Sequence, residues 1–186
     1  QTGGTWTQTT GSGGTFNAGA GTYTPAVGAT TSTFTYTLTG TVPCIDATSI
    51  ATININPQPV AGTDGNTTVC DSSTTAIDLF SLITGEETGG TWTQTTGTGG
   101  TFNAGAGTYT PSTGATTSTF TYTLTGIAPC IDDSSIATIN INPQPVAGTD
   151  GNTTVCDSST TAIDLFSLIT GEQTGGAWTQ TTGTGG

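Results

Sequence analysis

The sequence contains no lysine, arginine, histidine or methionine. Without a cationic side chain no side-chain salt bridge can form, so stability must come from apolar packing, backbone ladders and covalent links. The twelve acids, nine Asp and three Glu, leave a formal charge of −12. A surface of that sign repels nucleic-acid phosphates and anionic membranes, which excludes both as partners. The lack of His, Lys and Arg also removes most acid–base, Schiff-base and phosphate-clamp chemistry. No apolar run is long enough to span a bilayer, and no signal peptide is visible at Gln1. No trypsin site exists either, a useful property outside a cell.

What is present is mostly threonine, glycine and short apolar runs. Only 6% of residues are charged, whereas disordered chains usually combine low hydrophobicity with high charge. Threonine is β-branched and suits a solvated strand face. The composition therefore predicts an all-β chain with many turns.

The chain repeats itself. Residues 1–86 return as residues 87–172 with eight differences: Gln1/Glu87, Ser12/Thr98, Ala26/Ser112, Val27/Thr113, Thr41/Ile127, Val42/Ala128, Ala47/Asp133 and Thr48/Ser134. A third copy starts at Gln173. An 86-residue period exceeds the 20–50 residues typical of solenoids and suits an independent domain. The sequence reads as a segment of a longer tandem array. Asn56-Pro57-Gln58-Pro59-Val60-Ala61-Gly62, repeated as Asn142 to Gly148, is the best linker. Two prolines two residues apart cannot occupy a central strand and favour a stiff, extended connection. The complete domain is then 59–145, with 1–58 the C-terminal part of one repeat and 146–186 the N-terminal part of another. A rival frame with boundaries at Gln1 and Glu87 would bury the prolines within a domain.

Period-two alternation marks the strands. It is clearest in Thr119–Thr125, where Phe120, Tyr122 and Leu124 share one face and threonines the other. Ser135–Ile141, Gly90–Thr95 and Thr67–Cys70 also read as strands, and Thr101-Phe102 and Gly107–Pro111 as short edge strands. Ala76–Ile83 fits a strand or a helical turn, and strand is preferred. About seven short strands per repeat suit an immunoglobulin-like β-sandwich. Its expected core is Trp92, Phe102, Tyr109, Phe120, Tyr122, Leu124, Ile139 and Ile141. So small a core is marginal without further support.

The cysteines offer that support. Cys70 and Cys130 fall in one domain under the proline frame, and a bridge between them would close a loop worth about 4 kcal/mol in the chain-entropy model. Cys44 and Cys156 would then pair with cysteines beyond residues 1–186. The alternatives are Cys44–Cys70 across the linker, reduced thiols, and bonds between chains. Zinc and a catalytic thiol are disfavoured by the absence of histidine and of any C-x-x-C. A disulfide implies an oxidising, extracellular location.

The acids carry no catalytic pattern. Of the adjacent pairs, Asp132-Asp133 and Glu86-Glu87, one member is replaced between copies, so solvated loop acids explain them and no enzyme is expected. No cofactor is expected. Asp64, Asn66 and Asp71 supply hard oxygen atoms suited to calcium, but Asp-Gly and Gly-Asn are also strong turn dipeptides, the preferred reading. Asn66-Thr67-Thr68 and Asn152-Thr153-Thr154 fit the N-glycosylation triplet, a common coincidence in Thr-rich sequence.

Taken in order, Pro-Val-Ala-Gly-Thr-Asp, Thr-Val-Cys at 68–70, Ile-Asp-Leu-Phe-Ser-Leu-Ile at 77–83, Gly-Gly-Thr-Trp at 89–92, Phe-Thr-Tyr-Thr-Leu at 120–124 and Pro-Cys at 129–130 form a recognisable set. It resembles the immunoglobulin-like repeats of giant Bacteroidota cell-surface proteins, including gliding-motility adhesins. The resemblance implies type IX secretion, a cell-surface filament, and a role in attachment or gliding. The leading expectation is the structural stalk of such an adhesin, with neighbouring repeats as partners. The alternatives are a self-assembling extracellular filament or matrix protein, whose partners are other copies, and a glycan-binding module using Trp92 and Tyr109.

Overall fold

Alternating threonine and apolar residues make two-faced ribbons, and the glycine clusters between them let the chain reverse. A computed structural model describes residues 3–183; residues 1, 2 and 184–186, at the outer ends of the flanking portions 1–58 and 146–186, lie outside it. Twelve strands follow in chain order: β1 Thr5–Thr10, β2 Thr15–Asn17, β3 Thr22–Thr24, β4 Ser32–Leu38, β5 Ala47–Ile53, β6 Gly65–Cys70, β7 Ile77–Asp78, β8 Thr91–Thr96, β9 Thr101–Asn103, β10 Thr108–Thr110, β11 Ser118–Leu124 and β12 Asp133–Asn142. Among the described residues the only helical element is a 3-10 turn, Phe166–Leu168. The chain is all-β, with several sheets, consistent with a β-sandwich.

Residues 60–142 build the best-packed part. Four strands lie in the order β6-β12-β11-β8, and three in the order β7-β10-β9. All these pairings are antiparallel except one: β6 runs parallel to β12, from Ala137 opposite Gly65 to Asn142 opposite Cys70. The two sheets meet through aromatic side chains. Phe102 of β9 and Tyr109 of β10 pack on Phe120 of β11, with ring centroids 5.0 and 4.9 Å away. Phe80 sets its ring edge-on to Trp92 and Tyr122. Tilted aromatic pairs at such spacings add to the apolar burial itself.

Period two decides which residues face inward. In β11, Ser118, Phe120, Tyr122 and Leu124 are buried while the intervening threonines are half-buried. In β12 the buried series is Ser135, Ala137 and Ile139, so Ile136 faces solvent. Of the expected core, Phe102 and Ile141 are only partly buried, whereas Ala61, Leu79, Ile83 and Ala137 join it fully. None of the eight positions that differ between copies is buried in residues 87–134, which explains why the repeat absorbs these changes.

Two expectations about the strands need correction. Ala76–Ile83 is strand only at Ile77–Asp78. The Asp78 carboxylate accepts a hydrogen bond from Phe80 N (3.0 Å), and Leu82 N donates to Leu79 O (3.1 Å). Such a side-chain capture of the backbone two residues on is an Asx-turn and ends the strand, yet Leu79 and Ile83 still point inward. Gly107–Pro111 is not an edge: β10 lies between β7 and β9.

Tyr122 closes the sandwich at one end. Its hydroxyl donates to Glu87 O (2.8 Å) and accepts from Gly90 N (2.9 Å). Tyr122→Phe keeps the ring but leaves both backbone groups unpaired. The expected destabilisation is about 1–3 kcal/mol, read as a lowered urea midpoint with an unchanged slope.

The flanking portions form fewer pairings. Residues 3–53 make the sheet β1-β4-β5 and the hairpin β2-β3. Residues 146–183 contain the bridge Thr149–Thr170 and no named strand.

Candidate functional site

The Asn-Pro-Gln-Pro linkers are where polar side chains converge. At the first linker the contacts run to residues 87–133. Asn56 Nδ2 donates to Ala128 O (2.9 Å) and Gln58 Nε2 to Ile131 O (2.9 Å). Val60 N donates to Glu87 Oε2 (3.1 Å), and Ala61 N to Asp133 Oδ2 (2.8 Å). At the second linker the contacts run back to β6 and the turn after it. Asp71 N donates to Asn142 O (2.9 Å), and Gln144 N to Asp71 Oδ1 (2.8 Å). The Gln144 amide oxygen accepts from Cys70 Sγ (3.1 Å) and Ser72 Oγ (3.0 Å). The prolines extend the linker and the polar residues between them fasten it. Sequence reasoning credited the prolines and missed Asn56, Gln58 and their counterparts; the signal was two amide side chains spaced among prolines.

The two linkers leave residues 60–142 from opposite ends. The first lies beside the loop that precedes β12 and the second continues directly from β12. Ten residues of extended strand put those ends about 33 Å apart.

That separation overturns the Cys70–Cys130 bridge. All four cysteines, Cys44, Cys70, Cys130 and Cys156, are free. Cys70 stands opposite Asn142 at the end of β12, whereas Cys130 precedes the start of β12 and its thiol donates to Asn56 O (3.2 Å). A disulfide requires Cα atoms within about 7 Å, so the pair is several times too far apart. Cys44 belongs to the loop before β5, the counterpart of the Cys130 loop, and is not bonded to Cys70.

The calcium candidates do not converge either. Asp64 and Asp71 lie at opposite ends of β6, roughly 20 Å apart at strand spacing. Asp64 Oδ1 accepts from Ile136 N (2.8 Å), and the Asp71 carboxylate accepts from Gly114 N (3.1 Å) and Gln144 N. Asn66 pairs with Thr138 within the ladder. Each aspartate fastens backbone. The neighbouring acids do similar work: Asp132 Oδ1 accepts from Gly126 N (2.9 Å). Gln173 Oε1 accepts from Val146 N (3.2 Å) as Glu87 does from Val60. Only an acceptor is needed there, so Glu and Gln interchange between copies.

Asp71 gives the unit a pH dependence. It is buried, and the amides of Gly114 and then Gln144 hold its carboxyl below the ordinary aspartate value. A lowered folded-state pKa contributes stability that is complete above the unfolded value and disappears as pH falls through the folded one. The unfolding midpoint is therefore expected to be level from pH 7 to about 5 and to fall below about 4. Asp71→Asn should be less stable at neutral pH and should flatten that acid limb.

Trp92 and Tyr109, the residues a glycan platform would use, are both in the core. Trp92 Nε1 has no hydrogen-bond partner among the described residues; the indole faces Phe80 and Gly107, where only a hydrogen fits. No family model matches the chain, and no curated protein matches it.

Proposed function

We propose that the chain is a non-catalytic stalk segment of a repetitive extracellular surface protein, built from tandem immunoglobulin-like units in the frame 59–145. Several observations support the unit. The three-stranded sheet holds its second, fifth and fourth strands, and the four-stranded sheet its third, sixth and seventh, the B-E-D and C-F-G groupings of that fold. The first strand, β6, joins the second group beside β12. Residues 3–53 repeat the pairing of the third, sixth and seventh strands as β1-β4-β5.

The observation that carries the stalk reading is the position of the linkers at opposite ends of β12, each fastened by side-chain hydrogen bonds. Units joined that way run in single file, and near-identical copies add length rather than new surface chemistry. The absence of His, Lys and Arg supports a role without catalysis. The resemblance to Bacteroidota gliding-motility adhesins supports a cell-surface location, export by type IX secretion, and service in attachment or gliding.

Removing one 86-residue repeat from the intact protein tests this. Surface fibres should shorten by roughly one strand length plus linker, about 40 Å, with export and attachment retained. Fibres of unchanged length would rule out the stalk. An antibody to the chain that labels only lysed cells would rule out the surface location.

A further inference from the structure

A linker in a row of units has one unit before it and one after it. The first linker displays the contacts to the unit that follows. Cys130 Sγ donates to Asn56 O (3.2 Å), Asn56 Nδ2 to Ala128 O (2.9 Å) and Gln58 Nε2 to Ile131 O (2.9 Å). The second linker displays the contacts to the unit that precedes. Asp71 N donates to Asn142 O (2.9 Å), and Cys70 Sγ to Gln144 Oε1 (3.1 Å). Residues 56–73 and 142–159 are identical, as are 43–46 and 129–132. Both sets of contacts are therefore available at every linker of the period.

The two sets fit on one linker without competing. They use opposite ends of the glutamine amide, its nitrogen towards the following unit and its oxygen towards the preceding one. The asparagine carbonyl has two lone pairs, enough for the Asp71 amide and the Cys130 thiol together. Both sets also lie on one face. Ser135, Ala137 and Ile139 of β12 point inward, so period two turns Asn142 outward. Cys70 stands opposite Asn142 in the parallel ladder and turns outward with it. Neighbouring strands place Cys70 Cα about 5 Å from Asn142 Cα, while the Cys130 thiol touches the matching asparagine oxygen. A disulfide accepts Cα atoms up to about 7 Å apart.

We propose that Cys70 forms a disulfide with the copy of Cys130 in the following unit, one such bond spanning each linker. The inference rests on the tandem-unit frame proposed above and deepens it, since neighbouring repeats become partners joined by a second covalent path. Each unit offers Cys70 to the unit after it and Cys130 to the unit before it. A linker crossed by such a bond is one side of a closed ring, which limits how far adjacent units can swing.

Oxidised glutathione is a sufficient oxidant. One thiolate displaces a glutathione to give a mixed disulfide, the second thiolate displaces the other, and two reduced glutathiones leave. Closing the bond removes both thiol hydrogen bonds but strands no acceptor. Gln144 Oε1 keeps the Ser72 hydroxyl (3.0 Å), and Asn142 O keeps the Asp71 amide.

Residues 1–186 contain no pair of this kind, so the test continues the chain by its own period. Residues 101–145, added after Gly186, complete another unit and bring one further copy of Cys130. The extended chain then has five cysteines, the four of the sequence and the added one. It is equilibrated with mixed oxidised and reduced glutathione, under which unpaired cysteines return to thiols. The expected result is a monomer on a non-reducing gel with three titratable thiols, against four in the unextended chain. Cys70→Ser should abolish the bond and leave four thiols. Cys130→Ser should keep it and leave two. Five free thiols, a bond lost in Cys130→Ser, or disulfide-linked multimers would overturn the proposal. Weak amide protection of β6 and β12 in the extended chain would instead overturn the unit frame beneath it.

Discussion

Gly65→Ala is expected to disrupt the central sandwich. A Cβ at residue 65 would stand 1.6 Å from Leu82 O and 2.6 Å from Leu82 C, both backbone atoms. No side chain can rotate to make room, so β6 must move away from the 79–83 turn by well over an ångström. The movement would break the neighbouring Asp64–Ile136 bond and pull β6 from the edge of β12. Overpacking usually costs about 1–3 kcal/mol where side chains can adjust; against fixed backbone the loss should exceed that range. Hydrogen exchange should show β6 and β12 amides losing protection first. Gly85→Ala is the control: its Cβ would meet nothing within 4 Å, although its φ of +79° strains an alanine. A Gly65→Ala variant no less stable than Gly85→Ala would contradict the placement of β6.

Phe120→Ala should be comparably severe for a different reason. Phe120 is fully buried on β11 and receives Phe102 and Tyr109 from the opposite sheet. Removing its ring leaves a cavity between the sheets, at a typical cost of about 3–5 kcal/mol. Domains of this size usually have only about 5–15 kcal/mol in total, so the unit would be close to unfolding at room temperature. The counterpart Phe34 packs against Phe16 and Tyr23 in the same way. It is only 3% exposed, so Phe34→Ala should open a similar cavity in residues 3–53. Urea titration followed by exchange of β11 and β4 amides separates the two effects.

How far the sequence was legible depends on the kind of signal each residue gave. Phe120, Tyr122 and Leu124 could be placed because period-two alternation is a local property of one strand. Leu79 and Ile83 were harder, because an Asp side chain ends the strand between Ile77 and Leu79 and no alternation survives there. Gly65 looked like the middle of a turn dipeptide; its need for glycine comes from the Leu82 carbonyl, 17 positions away in sequence, and no local pattern reports that. Cys70 and Cys130 misled for a related reason. Loop length favours their bridge, but strand direction decides which end of the sandwich each occupies. The parallel pairing of β6 with β12 was not readable from either strand alone. The Asp64-Gly65-Asn66 run suggested a turn, yet Gly65 and Asn66 are the first residues of β6; neither that strand start nor the amide that Asp64 serves could be read from a turn dipeptide.

The parallel β6–β12 pair has a mechanical consequence. The two strands are the first and last of the sandwich, and each leads to a different linker. Tension along a row of units would pull the start of β6 and the end of β12 in opposite directions along their shared axis. The ladder from Gly65–Ala137 to Cys70–Asn142 would then be loaded in shear, all its hydrogen bonds straining together. A hairpin pulled at its open end yields one bond at a time; strands loaded in shear do not, so under such tension residues 60–142 should resist stretching better than their small core suggests.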